Sequence, residues 1–186
     1  MRFTLTYDGP LASSGDARRK HAIRRKFHPQ LKALWNFPPL NGNEKWIRAG
    51  SGADDGLMLT SVAGHSFASL VIPSLKLYAE LEIILLRPEQ PGGIVVSGGD
   101  IDNRLKTLFD ALRCPAAQQE IPQQWQPTPD EQPLFCLLED DRLISRVSVK
   151  TDRLLEPGVQ SSDVRLFINV EVRASTATYG NLGIIA

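Results

Sequence analysis

The run Asp100-Ile101-Asp102-Asn103-Arg104-Leu105-Lys106 sets two carboxylates, an amide and a lysine at the start of a helical pattern, and an acidic pair, Asp140-Asp141, follows later. Should the fold gather Asp100, Asp102 and Asp141, three carboxylates converge. Like charges at ~4 Å repel by roughly 4 kcal/mol per pair at an effective dielectric of about 20, so such a cluster wants a cation. Hard oxygen ligands, with no His or Cys inside the motif, point to Mg²⁺ or Mn²⁺ rather than zinc. An ion held this way lowers the pKa of a bound water, polarises a phosphate and neutralises charge on a leaving oxygen. Lys106, one turn into the helix, is placed to stabilise the charge that develops on the phosphoryl group.

Each of these residues also has a structural explanation. Asp100 can cap the helix and Asp102 can complement its dipole, each contributing about 0.5–1 kcal/mol. Lys106 can bridge Asp102 and Asp110, where exposed pairs one turn apart are worth only ~0.3 kcal/mol. Asp140-Asp141 can be a turn before a strand. Singly, these explanations are the stronger ones. The combination of D-x-D-N-x-x-K with a later D-D pair is rarer than its parts.

The elements that must position these groups follow from hydrophobic periodicity. Phe3, Leu5 and Tyr7 alternate with polar residues as a strand, and Asp8-Gly9-Pro10 is expected to end it. Asp16 is a candidate N-cap for a helix in which Ile23, Phe27, Leu31, Leu34 and Trp35 share a face. Pro29 predicts an end or kink near His28, giving two pieces or one bent helix. Residues 36–56 read as an irregular connection anchored by Trp46 and Ile47. His65 to Ile72 and Leu75 to Leu86 read as strands with a bend at Pro73-Ser74.

A helix from Ile101 to about Arg113 presents Ile101, Leu105, Leu108, Phe109 and Leu112 as one apolar stripe, with Asp102, Lys106 and Asp110 along another face. Residues 115–133 carry five prolines and six glutamines, a composition that predicts a long exposed excursion without a core. Leu134 to Leu138 restores an ordered pattern, and Leu143, Ser145, Val147 and Val149 alternate as a strand. Val164, Leu166, Ile168, Val170 and Val172 give the cleanest strand pattern, followed by a polar tail. The expected fold is a small α/β or α+β protein, a mixed sheet with helices packed on it, in a single domain over residues 1–186.

The length of 186 residues and the 42% hydrophobic composition suit one soluble globular domain. No apolar run approaches the roughly 20 residues that span a bilayer, and the N-terminus lacks the apolar segment of a signal peptide, so a cytoplasmic location is expected. Cys114 and Cys136 have no metal-ligand spacing and read as buried thiols. The 21 basic and 21 acidic residues cancel, which argues against a simple nucleic-acid coat protein. Their distribution is uneven. Residues 17–35 hold Arg18, Arg19, Lys20, Arg24, Arg25, Lys26 and Lys32 with no acidic residue. Such an element can grip a phosphate backbone by releasing counterions, or it can be a solvated helix face.

The residues Asp100-Ile101-Asp102-Asn103, Lys106, Phe109-Asp110-Ala111-Leu112, Asp140-Asp141, Ile144 and Lys150 together resemble the RusA-like Holliday junction resolvases. The resemblance covers about Leu75 to Lys150 and a final strand. It implies a homodimeric, Mg²⁺-dependent endonuclease that cuts four-way DNA junctions symmetrically. By position, Asp100, Asp102 and Asp141 would be the metal-binding catalytic carboxylates and Lys106 the catalytic lysine. Asn103, Asp110 and Asp140 would support them. Members of the family often carry a basic run before the first aspartate, whereas this chain has Val95-Val96-Ser97-Gly98-Gly99. Arg18, Arg19, Lys20, Arg24, Arg25 and Lys26 are the expected substitute for DNA binding. Other readings are a Mg²⁺-dependent phosphoesterase with a different substrate and a non-catalytic nucleic-acid-binding module on a nuclease-like fold.

Overall fold

The strand and helix patterns resolve into two sheets rather than the single one expected, in a computed structural model that describes residues 1–88 and 101–185. The first sheet takes β1 (Arg2–Pro10), β4 (Leu77–Arg87), β6 (Ile144–Arg153) and β7 (Asp163–Ala174) in the order β1-β7-β4-β6. Its β1–β7 and β7–β4 pairs are antiparallel, while β4 and β6 run parallel. The second sheet has the order β2-β3-β5, built from β2 (Leu59–Val62), β3 (His65–Val71) and β5 (Leu134–Leu138). The fold class is α+β.

The period-two pattern explains which face of the larger sheet is covered. Leu5, Ile168, Ile83 and Val149 form one row across its four strands. Along β7, Val164, Leu166, Ile168, Val170 and Val172 are all buried, as are Leu77, Ala79, Leu81, Ile83 and Leu85 of β4. Each large apolar side chain among them contributes about 1.5–3 kcal/mol on leaving water. This face meets residues of β3, β5 and the two long helices in one core cluster.

Three local outcomes depart from the periodicity reading. First, β1 continues through Asp8-Gly9-Pro10, pairing Gly9 with Val164. Gly9 has φ +145°, and a Cβ there would approach the Tyr7 hydroxyl at 3.1 Å, so the glycine lets the strand pass its own neighbour. Second, β2 pairs with β3 through the two-residue turn Ala63-Gly64, both with positive φ. Third, the polar tail after β7 packs back. Asn181 donates to the carbonyls of Leu75 (2.9 Å) and Thr176 (2.8 Å), and Ile184 is buried in α3 (Leu182–Ile185).

Helix α1 (Ala17–Ala33) starts as expected: the Asp16 carboxylate accepts from the Arg19 N–H at 2.8 Å. It runs unbroken past Pro29, which excludes two separate pieces. Pro29 is exposed, and the carbonyl its ring deprives of a donor is that of Arg25 on the same solvent side, where water can serve it. The neighbouring Gln30 side chain bonds both the N–H (2.9 Å) and the carbonyl (2.8 Å) of Thr6, closing part of the β1 edge. Among the described residues no helix is long and apolar enough to cross a membrane.

Most residues of the segment 115–133 are exposed, as its composition predicts, but the segment is anchored to a core. Ile121 and Trp125 pack with Phe67, Cys114, Leu134 and Cys136 in a second core cluster. Arg25 pairs with Glu131, and Lys32 with Asp130. Two apolar anchors and two ion pairs hold a Pro/Gln-rich chain that composition alone leaves unfolded. Both cysteines are free and buried as expected, and burial pushes the Cys136 thiol up to about 12.

Candidate metal centre

Helix α2 (Ile101–Leu112) turns one side inward through Arg104, Thr107, Leu108, Ala111 and Leu112. Arg104 donates to the Leu11 carbonyl, and Gly15 abuts Thr107 so closely that a Cβ would lie 2.7 Å from the threonine methyl. These contacts seat α2 against the start of α1. The opposite side carries Asp102, Asn103 and Lys106, all exposed. Asp102 accepts from the Asn103 N–H at 2.8 Å. Asp100 lies outside the described residues.

The acidic pair follows β5, in a 3-10 turn over Asp141–Leu143. Its two members have different partners. Asp140 caps the turn, accepting from the Arg142 N–H at 2.9 Å and from the Arg142 guanidinium at 2.9 and 3.0 Å. Those hydrogen bonds hold its carboxyl down at about 2, well below the ordinary 3.8. Asp141 is exposed. Neutralising Asp140 lowers the repulsion that a second carboxylate beside it would feel.

Helix α2 packs against this turn. The Arg113 guanidinium, after α2, is held protonated first by its hydrogen bond to Glu120 and then by the charges of Glu120, Asp110 and Asp141. Arg113 lies about 16 Å of helix rise beyond Asp102. A shared ion therefore requires the turn and the first turn of α2 to face one space. No group of three His, Cys, Asp or Glu side chains poised for a metal occurs among the described residues, a set that excludes Asp100. The donor chemistry of Asp102 and Asp141, exposed carboxylates with no imidazole or thiol beside them, fits a hard divalent cation.

Asp110 does not support Lys106. It is 8% exposed and pairs with Lys20 of α1 at 2.6 Å and with Arg113, three residues on in its own segment, at 3.2 Å. A carboxylate this buried needs cationic partners, and Lys20 and Arg113 supply them. Glu139, exposed beside the pair and just after β5, has its pKa raised by desolvation and then by the Asp140 charge.

The basic helix is divided in the same way. Arg24 is 1% exposed and serves the interior: its guanidinium donates to the carbonyls of Arg113 (2.9 Å) and Asp110 (2.8 Å) and to Nδ1 of His21 (3.2 Å). It is therefore withdrawn from any DNA surface. Lys20 is engaged by Asp110 and Arg25 by Glu131. Arg18, Arg19 and Lys26 face solvent. Helical spacing alone placed Arg24 with the other cations, yet Ile23, Phe27 and Leu31 share its buried side. No protein-family model and no curated protein matches this chain.

Proposed function

We propose that this chain is a Mg²⁺-dependent, structure-specific DNA endonuclease that cuts four-way junctions, as its resemblance to RusA-like resolvases implies. One observation carries the reading. Asp140 is paired with Arg142, and Asp141 is exposed on a turn packed against α2, whose exposed side displays Asp102, Asn103 and Lys106. Asp100 completes the ligand set by its place in the sequence.

Asp100, Asp102 and Asp141 would hold the ion, which supplies a water of lowered pKa and a Lewis acid for the scissile phosphate. Lys106 would neutralise charge on the non-bridging oxygens, and Asn103 would orient the Asp102 carboxylate through the turn they share. Arg18, Arg19 and Lys26 would meet the DNA backbone. A junction needs two symmetric cuts, so a homodimer acting in the cytoplasm belongs to the same proposal.

A second reading is a Mg²⁺-dependent phosphoesterase acting on a smaller substrate. It is favoured by Arg24, whose charge is engaged inside the protein rather than offered to a polyanion, and by Lys20, which Asp110 holds. A synthetic four-way junction and a linear duplex of the same sequence, each incubated with Mg²⁺ or with EDTA, separate the two. Nicking of the junction with Mg²⁺, absent in EDTA and weak on the duplex, is the expected result. Intact junctions together with Mg²⁺-dependent hydrolysis of a nucleotide phosphodiester would favour the second reading.

A further inference from the structure

A cavity of about 270 Å³ opens between α1 and the Pro/Gln-rich segment, lined by Arg18, His21, Ala22, Arg25, Gln124 and Trp125. His21 is 2% exposed. Its ring sits edge-on to Trp125 at 4.3 Å between centroids, and His65 lies against the same indole at 4.7 Å, tilted by 47°. The tautomer of His21 is fixed by its neighbour. Arg24 can only donate, so Nδ1 of His21 accepts and the ring proton resides on Nε2. Burial, with Arg24 and Arg25 adding to it, lowers the His21 pKa to about 4, so the ring is neutral at pH 7.

That Nε2–H is buried without a hydrogen-bond partner among the described residues. A buried donor left unmade costs about 1–3 kcal/mol, and an acceptor entering the cavity would relieve it. The surrounding charge selects the acceptor. Arg18 makes no ion pair among the described residues, while Arg25 is balanced by Glu131. A second cavity, lined by Ala22, Arg25, Lys26 and Glu131, shares Ala22 and Arg25 with the first. The two give a groove along α1, with Arg18, Arg25 and Lys26 and the Glu131 carboxylate among its lining residues.

We propose that this groove is a phosphate-binding site, in which the Nε2–H of His21 donates to a phosphate oxygen while Arg18 neutralises its charge. It is separate from the carboxylates of α2 and does not depend on the nuclease reading. The phosphate can be a free anion or part of a nucleic-acid backbone, and the chemistry of recognition is the same.

The test is titration of the metal-free, full-length protein with inorganic phosphate, following the His21 imidazole resonances by NMR. Saturable shifts at His21 are expected, and Arg18→Ala, a surface change that leaves the fold intact, should weaken phosphate binding by about tenfold. Displacement of phosphate by a short duplex in EDTA would assign the site to a nucleic-acid backbone; failure to displace it would assign the site to a small anion. Absence of saturable shifts at His21, or unchanged affinity in Arg18→Ala, overturns the proposal. Absence of junction cutting by the parent protein with Mg²⁺, with phosphate binding present, would count against the nuclease reading alone.

Discussion

The proposed site turns on two adjacent aspartates, of which Asp140 is paired with Arg142 and Asp141 is exposed. The Asp140 carboxyl, held at about 2 by Arg142, is depressed below its unfolded value near 3.8. A depressed carboxylate stabilises the fold above the unfolded pKa, and that contribution is lost as pH falls from about 4 through about 2. Asp140→Asn is therefore expected to lower the melting temperature at neutral pH and to be indistinguishable from the parent near pH 2. His21 is a base, and the same rule applies to it with the proton on the other side. Its folded pKa of about 4 lies below the ordinary 6.5, so the unfolded chain takes up the proton first and stability falls as pH drops between those values. Urea unfolding between pH 7 and pH 4 measures this loss, and a His21 resonance that titrates near 6.5 in the folded protein would contradict it. The motif residues were legible from type and spacing because carboxylates at a helix start are few. The internal roles of Arg24 and Asp110 were not, since a charge directed at a carbonyl reads in sequence like one directed at water.

At the scale of elements, α1 links the basic segment to both α2 and the Pro/Gln-rich chain. Arg24→Ala removes the donor to two buried carbonyls and leaves a cavity, and is expected to cost about 3 kcal/mol in denaturant unfolding. Arg19→Ala, on the solvent side, should stay within about 0.5 kcal/mol of the parent. Trp125→Ala removes the principal anchor of residues 115–133. A loss of about 3–5 kcal/mol is expected, with proteolytic nicking concentrated in that segment. Period-two alternation located β1, β4 and β7 because each has one face in the core and one in water. It missed β2, a four-residue strand whose pairing depends on the Ala63-Gly64 turn, and it put β3 and β4 in one sheet when the turn at Pro73–Leu75 sends them into two. The anchoring of segment 115–133 was missed for a related reason: composition counts its prolines, whereas packing depends on Ile121 and Trp125.

For the molecule as a whole, a net charge of zero means that affinity for a polyanion must come from where the charges face. Replacing Arg18, Arg19 and Lys26 by Glu should weaken junction binding and flatten its salt dependence, by about 0.9 in log–log slope for each phosphate no longer neutralised. Unchanged binding across salt would remove α1 from the DNA-facing surface. The ion is expected to join two separate elements, so Mn²⁺ should broaden the amide resonances near Asp102 and Asp141 together; broadening at one alone would divide the site. The most direct test of the metal-site reading is cutting of a synthetic four-way junction by Asp141→Asn, with junction binding measured in parallel. Mg²⁺-dependent nicking is expected to fall to the level of the EDTA control while binding persists; nicking at the parental rate would contradict the assignment of Asp141 as a metal ligand.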